Sequence, residues 1–152
     1  MQDAIHELRQ ITADFSALLK GIAESDFSNK PLPDKWSKKE IIGHLIDSAQ
    51  NNLRRFICAQ YESTPPKIVY QQNFWVSACQ YQHMPSQNVI ELWVLINQQI
   101  ISVLLSMPSE KYSAQCETSE LRTLEWLAVD YIRHMKHHLN QVIPESLEIR
   151  NT

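Results

Sequence analysis

Histidines are the residues of this sequence best suited to metal chemistry, and three of the six lie close together, at His134, His137 and His138. His134 and His138 are four residues apart, so in an α-helix their rings stand one turn apart on one face and can share a metal ion. His137 lies about 100° around the helix and faces away. The same face also carries Leu124, Leu127, Tyr131 and Gln141. Because buried imidazoles need polar partners, a metal site is one interpretation of this pair, and a hydrogen-bonded or surface pair is the other.

A third side chain usually completes a two-histidine site, and His44 is the natural candidate. It lies roughly 10 Å from the start of the helix predicted for 37–60. His134 and His138 lie within roughly 12 Å of the end of the helix predicted for 123–142. The three can therefore meet only if the two helices run antiparallel. A simple up-down-up-down bundle makes these helices parallel, and a crossover between the second and third helices makes them antiparallel. The connection 62–85 is long enough, because a bundle of roughly 30 Å is spanned by about ten extended residues.

The elements that must position these histidines are four long helices, indicated by apolar residues at spacings of three and four. The predicted helices are 3–23, 37–60, 87–107 and 123–142. Ser37 and Glu40 form a capping box at the start of the second, with Trp36 and Ile41 as a hydrophobic staple. Thr123 is the predicted N-cap of the last. This pattern predicts an all-α, four-helix bundle.

The segments between these helices show turn chemistry rather than periodicity. Residues 25–35 and 109–122 are predicted loops, and 62–85 is predicted to pack on the bundle with a short helical piece around 74–80. The tail, 145–152, is predicted to be loosely held.

Composition narrows the class of protein. With 152 residues we expect a single domain, 1–152. A formal net charge of -3 gives no basic surface for nucleic acid. We see neither a signal peptide nor a run approaching the roughly 20 apolar residues of a membrane span, so we expect a soluble, cytoplasmic protein. Three cysteines without a CxxC pair indicate reduced thiols, and only two glycines disfavour sheet folds.

Two segments of the sequence resemble the DinB/YfiT-like superfamily. They are Lys35-Trp-Ser-Lys-Lys-Glu-Ile-Ile-Gly-His-Leu-Ile-Asp-Ser and Asp130-Tyr-Ile-Arg-His-Met-Lys-His-His-Leu-Asn-Gln-Val. The resemblance implies an up-down-down-up bundle, often dimeric, with a divalent metal held by His44, His134 and His138. Similar proteins include bacillithiol-using S-transferases, a mycothiol-dependent isomerase and metal-dependent hydrolases. No residue here selects among these reactions. Asp47 matches the family pattern, but helical geometry turns it from the apolar face, so we expect a surface carboxylate.

Two functions remain open. The first is a divalent-metal-dependent enzyme that activates water or a thiol, as a hydrolase or a thiol S-transferase acting on a small molecule. Zinc or nickel is the expected ion, with manganese as a third candidate, because imidazole suits the first two. The alternative is a non-catalytic helical binding or dimerisation module whose histidines form a polar cluster.

A polar row beside the apolar stripe of the second helix predicts a substrate pocket. It continues from His44 through Ser48, Asn51 and Arg55, and Tyr131, on the histidine face of the last helix, is predicted to belong to the same pocket. Arg55 stands about 16 Å along the axis from His44, where it could bind the carboxylate of an extended substrate. The alternative is a solvated arginine.

Overall fold

The structure is a computed structural model that describes residues 1–144, in which six α-helices and one two-stranded β-hairpin occur. The helices are α1 (Gln2–Lys20), α2 (Glu24–Phe27), α3 (Lys38–Tyr61), α4 (Gln72–Cys79), α5 (Ser86–Ser106) and α6 (Leu124–Val142). The strands are β1 (Gln115–Glu117) and β2 (Leu121–Thr123), and short 3-10 turns span Tyr81–His83 and Ser109–Lys111. The prediction for the tail lies outside the described residues.

The four long helices, α1, α3, α5 and α6, are the predicted ones, with ends that differ from prediction by at most about three residues. α3 packs on α5 and α6, and α1 packs on the same two helices. Each contributes an apolar face to one core, which includes Phe15, Phe56, Trp93 and Leu139. The all-α, four-helix-bundle prediction is confirmed, with the crossover between α3 and α5.

Both predicted helix starts are present. The Ser37 side chain accepts a hydrogen bond from the Glu40 backbone N–H, and the Glu40 carboxylate accepts one from the Ser37 backbone N–H. At the start of α6, Thr123 accepts from the Trp126 backbone N–H. Such caps satisfy backbone donors that the first helical turn leaves unpaired. They therefore fix where α3 and α6 begin, and with that the heights of the histidines that the helices carry.

The hairpin β1–β2 is a departure from the prediction of a loop over 109–122. Its two strands pair antiparallel, and the crossover adds to its edge. Ile68 donates its backbone N–H to the Glu117 carbonyl at 2.9 Å, and Glu117 donates to the Pro66 carbonyl at 2.9 Å. The Lys67 ammonium also pairs with the Glu117 carboxylate at 2.6 Å. The start of the crossover is thus tied to the segment that leads into α6.

The later part of the crossover lies directly on α3. Gly43 is needed there because the ring of Tyr81 rests on its backbone, and an added Cβ would overlap the ring atoms. The Tyr81 hydroxyl donates to Asp47 Oδ1 at 2.6 Å, one turn further along α3. Tyr81 therefore holds the crossover, residues 62–85, against the helix that carries His44.

Helix α5 departs from the expectation that no run approaches a membrane span. By length and composition alone, Ser86–Ser106 is apolar enough to cross a membrane. A core helix of a soluble protein passes the same test, and 39% of the most apolar window of α5 is buried inside the protein. Trp93 and Ile100 are fully buried in the core. The apolar character of α5 is thus weak evidence for a membrane span.

Candidate metal centre

His44, His134 and His138 converge between α3 and α6. His44 is fully buried, and the other two are half-buried. One ligand nitrogen from each lies within 4.8 Å of the other two. The rings meet edge to face at interplanar angles of 71–74°, so they surround a point rather than stack. The structure brings the three predicted residues together, which requires α3 and α6 to be antiparallel.

The spacing of two ring nitrogens suits a tetrahedral ion. His44 Nε2 and His134 Nε2 are 3.2 Å apart. Two nitrogens each 2.0–2.1 Å from a tetrahedral zinc are about 3.3 Å apart, so little movement would be needed to accommodate the ion. In the absence of a metal the same distance suits one hydrogen bond, in which one of the two nitrogens carries the proton. The geometry therefore fits both interpretations that the sequence left open.

Burial keeps the three imidazoles neutral, the form in which they bind metals. Burial, with repulsion from His134 and His138 when these are charged, lowers the pKa of His44 to about 3. Burial, with the neighbouring His138, lowers the pKa of His134 to about 4, while Asp130 opposes the shift. Burial also lowers the pKa of His138. At neutral pH the cluster offers lone pairs and no positive charge, and the donor set fits a divalent cation.

The outer ring nitrogens of the three histidines differ in their surroundings. Nδ1 of His44 and Nδ1 of His134 are buried, and no described residue hydrogen-bonds to either. His138 Nδ1 instead lies 3.0 Å from Gln141 Oε1. Gln141 follows His138 by three residues, so the helical spacing that identified the histidines also placed this glutamine on their face. Its contact with His138 was not predicted.

A cleft of about 450 Å³ opens beside this cluster. Trp36 and Gln141 lie in its wall, and each also contacts a histidine of the cluster: the Trp36 ring is 5.0 Å from the His44 ring. The other lining residues are Pro31, Asp34, Lys35, Ile41, Gln72 and Asn73. A neighbouring cleft of about 570 Å³ shares Asp34, Trp36 and Asn73 with it. Sequence reasoning assigned Trp36 only to the helix start and missed the cleft, because its walls come from three separate segments.

Most of the residues predicted to form the substrate pocket lie inside the protein rather than in this cleft. Ser48 and Asn51 are buried, and Asn51 donates to the Asp47 carbonyl at 2.9 Å. Tyr131 is buried and donates its hydroxyl to Asn97 at 2.6 Å. Burial raises the pKa of that hydroxyl well above its usual range. None of these residues lines the two clefts.

Arg55 is partly buried and lines neither of these two clefts. Its Nε and Nη2 donate to the Ile68 carbonyl at 3.2 and 2.8 Å, and Nη1 donates to Asn52 Oδ1 at 3.3 Å. The guanidinium thus holds the crossover on α3. Its predicted role in substrate binding stays a prediction, but these contacts support anchoring instead.

The expectation for Asp47 was wrong, because its carboxylate is fully buried rather than on the surface. Helical geometry does turn it away from the bundle core, but the crossover covers that side of α3 with Tyr81 and Cys79. Burial raises the pKa of Asp47 to about 6, and hydrogen bonds from Tyr81 and Cys79 limit the rise. Asp47 does not belong to the three-residue ligand cluster.

Comparison with known proteins gives one family and a consistent fold. A family model described as the DinB superfamily matches residues 7–142. YfiT of Bacillus subtilis (strain 168) is 20% identical over 141 residues, which cover 91% of this chain and 79% of YfiT. The YfiT structure, described as that of a probable metal-dependent hydrolase with an unusual four-helix bundle topology, matches with a TM-score of 0.83 at 19% identity. That match covers 97% of this chain and 86% of the YfiT chain.

A second solved structure has a longer chain. The crystal structure of the mycothiol-dependent maleylpyruvate isomerase matches with a TM-score of 0.75 at 14% identity, over 91% of this chain but only 59% of the isomerase. At these identities the structural matches establish the fold alone.

Proposed function

The chain belongs to the DinB superfamily, and on that premise we propose that it is a divalent-metal-dependent enzyme acting on a small molecule. His44, His134 and His138 would hold the ion. The observation that carries the proposal is the convergence of three neutral imidazoles, with two Nε2 atoms 3.2 Å apart. His134 also lines a cleft of about 340 Å³, together with Asp130, Arg133 and His137.

The chemistry follows from an ion with an incomplete protein shell. When bound by three imidazoles, a divalent ion keeps at least one position open and lowers the pKa of a bound water or thiol. Zinc and nickel are the preferred ions and manganese is the third candidate. In the cleft, the indole of Trp36 offers an apolar wall, while Gln72, Asn73 and Lys35 offer polar groups. The lining therefore suits a small amphipathic substrate.

The reaction is proposed as hydrolysis or thiol S-transfer. The description of YfiT supports a water nucleophile, and the mycothiol dependence of the isomerase supports a low-molecular-weight thiol. The three ligands would be occupied by the ion and supply no general base, so activation of the nucleophile would rest mainly on the ion. The homodimer and the cytoplasmic location stay predictions.

Metal analysis tests the proposal directly. Protein purified without a histidine tag should bind about one zinc or nickel ion, and saturating metal should raise the melting temperature by several degrees, because metal binds only the folded state. Alanine at His44, His134 or His138 should abolish both effects. His6→Ala, at an exposed histidine on α1, is the matched control and should change neither.

The alternative, a non-catalytic module with a hydrogen-bonded histidine cluster, predicts a different result. Metal content would be substoichiometric, zinc, nickel and manganese would not restore it, and the melting temperature would not change. The His134→Ala profile would then match that of the wild type. This combination would refute the metal-dependent enzyme.

A further inference from the structure

The side-chain amide of Gln141 lies between two imidazoles at the end of α6. Its Oε1 is 3.0 Å from His138 Nδ1, and its Nε2 is 3.1 Å from His137 Nε2. An amide oxygen only accepts hydrogen bonds, and an amide nitrogen only donates them. His138 must therefore carry its proton on Nδ1, and His137 must accept on Nε2. Each imidazole is held in one tautomer by a different end of the same amide.

The tautomer of His138 decides whether it can bind a metal. With the proton on Nδ1, the lone pair of the neutral ring is on Nε2. With the proton on Nε2, that atom could not serve as a ligand. Histidine ligands in metal sites commonly donate the other ring N–H to an acceptor, which fixes both tautomer and ring orientation. Gln141 Oε1 is such an acceptor for His138.

His138 is the ligand for which this contact matters most. His44 is fully buried, and the Nδ1 of His134 is buried as well, so packing already restricts both rings, although no described residue hydrogen-bonds to either Nδ1. His138 is near the C-terminal end of α6, with the exposed residues His137 and Gln141 on its outer side. A half-exposed ring at the end of a helix has more freedom to rotate, and freedom lost on binding lowers affinity.

We propose that Gln141 is a positioning residue of the metal centre. Its Oε1 fixes His138 in the tautomer and orientation that direct Nε2 at the ion, and its hydrogen bond to His137 holds the amide in place. The inference rests on the proposed metal site. A fourth side chain, Gln141, would thus contribute to the centre by holding the ligand His138, without binding the ion itself. Gln141 also forms part of the wall of the cleft beside the cluster, so the same amide stands where a substrate would pass.

Two substitutions separate the hydrogen bond from the bulk of the side chain. Gln141→Leu keeps the volume and removes both polar contacts. Gln141→Glu keeps an acceptor for His138 Nδ1–H but loses the donor to His137. Gln98→Leu, at an exposed glutamine on α5, is the matched control for adding an apolar side chain to a helix surface. All three should leave the melting temperature of the metal-free protein nearly unchanged.

The first measurement needs no metal. ¹⁵N NMR of the imidazoles in the metal-free protein should show His138 as the Nδ1–H tautomer in the wild type and in Gln141→Glu. In Gln141→Leu it should shift toward the Nε2–H tautomer. The second measurement is zinc affinity by chelator competition. Gln141→Leu should weaken it about tenfold, near the low end for such supporting contacts because the amide is exposed, while Gln141→Glu and Gln98→Leu should remain within about threefold of the wild type.

The outcomes distinguish this inference from the proposed function. An identical His138 tautomer in the wild type and Gln141→Leu would overturn the positioning role, as would a changed tautomer without a loss of zinc affinity. If the wild type binds no metal, the proposed function fails and with it the metal role of Gln141, while the NMR measurement still reports whether Gln141 fixes the His138 tautomer. A loss of affinity in Gln98→Leu equal to that in Gln141→Leu would also overturn it.

Discussion

Replacing Asp47 by asparagine tests whether the carboxylate that accepts the Tyr81 hydrogen bond is buried and has a raised pKa. Asp47 is fully buried; its Oδ1 accepts a hydrogen bond from Tyr81, and no described residue bonds to its Oδ2. Burial raises its pKa to about 6 from an ordinary 3.8. The asparagine side chain carries no charge at any pH, and its amide oxygen can accept the same hydrogen bond. The substitution therefore removes the ionisation and keeps the acceptor.

The magnitude follows from the shift. A pKa change of about two units at about 1.4 kcal/mol each gives roughly 3 kcal/mol. Because the folded-state pKa lies above the unfolded value, Asp47 stabilises the fold fully below about pH 4, and this contribution is lost as the pH rises through about 6. Asp47→Asn lacks this loss. The stability of the variant relative to the wild type should therefore rise by roughly 3 kcal/mol from about pH 4 to about pH 8. At every pH the variant also loses about 1–3 kcal/mol, because its amide N–H₂ is buried without a partner.

Urea denaturation of both proteins with a chelator present, at several pH values, measures this difference. The histidine cluster titrates in the opposite sense: its lowered pKa values remove stability as the pH falls below about 6.5. That contribution is common to both proteins and cancels in the difference. Asp34→Asn, at an exposed carboxylate, should show a constant difference within about 0.5 kcal/mol. The same constancy in Asp47→Asn would refute a buried, titrating Asp47.

Two further substitutions test how the crossover is held. Gly43→Ala should lower the free energy of unfolding in urea by about 3 kcal/mol or more, because the added methyl group overlaps the Tyr81 ring. Gly21→Ala is the control and should be nearly neutral, because its methyl group would make only ordinary van der Waals contacts. Arg55→Ala should lower the unfolding free energy by about 2 kcal/mol without changing zinc affinity, and the exposed Arg54→Ala should change neither; equal effects of the two arginine substitutions would contradict an anchoring role.

The parts of the fold that sequence predicts are those coded within single helices. The capping box of Ser37 and Glu40 and the N-cap Thr123 are local signals, and the structure contains both. The spacing of His134 and His138 places two rings on one face whatever surrounds the helix. The length of the 62–85 connection then makes an antiparallel partner for His44 feasible. Local periodicity plus one topological argument thus account for the cluster.

What sequence does not predict depends on contacts between segments. The helical position of Asp47 says which way its carboxylate points, but not that Tyr81 of the crossover covers it. The hairpin has strands of only three residues, too short for a period-two pattern, and its pairing with the crossover joins residues about fifty positions apart. Arg55 resembles a surface arginine in sequence because its acceptor is a backbone carbonyl, which has no sequence signature.

The wide separation along the chain between His44 and His134 also bears on the order of folding. Ninety positions separate the two side chains whose nitrogens meet, so closing the centre carries the loop entropy of most of the protein. Helices α3 and α6 can form from local contacts, whereas the centre needs the long-range packing of one helix on the other. We therefore expect the centre to form late in folding. An ion held there would stabilise the native state more than the folding transition state, and so would act mainly on the lifetime of the folded protein.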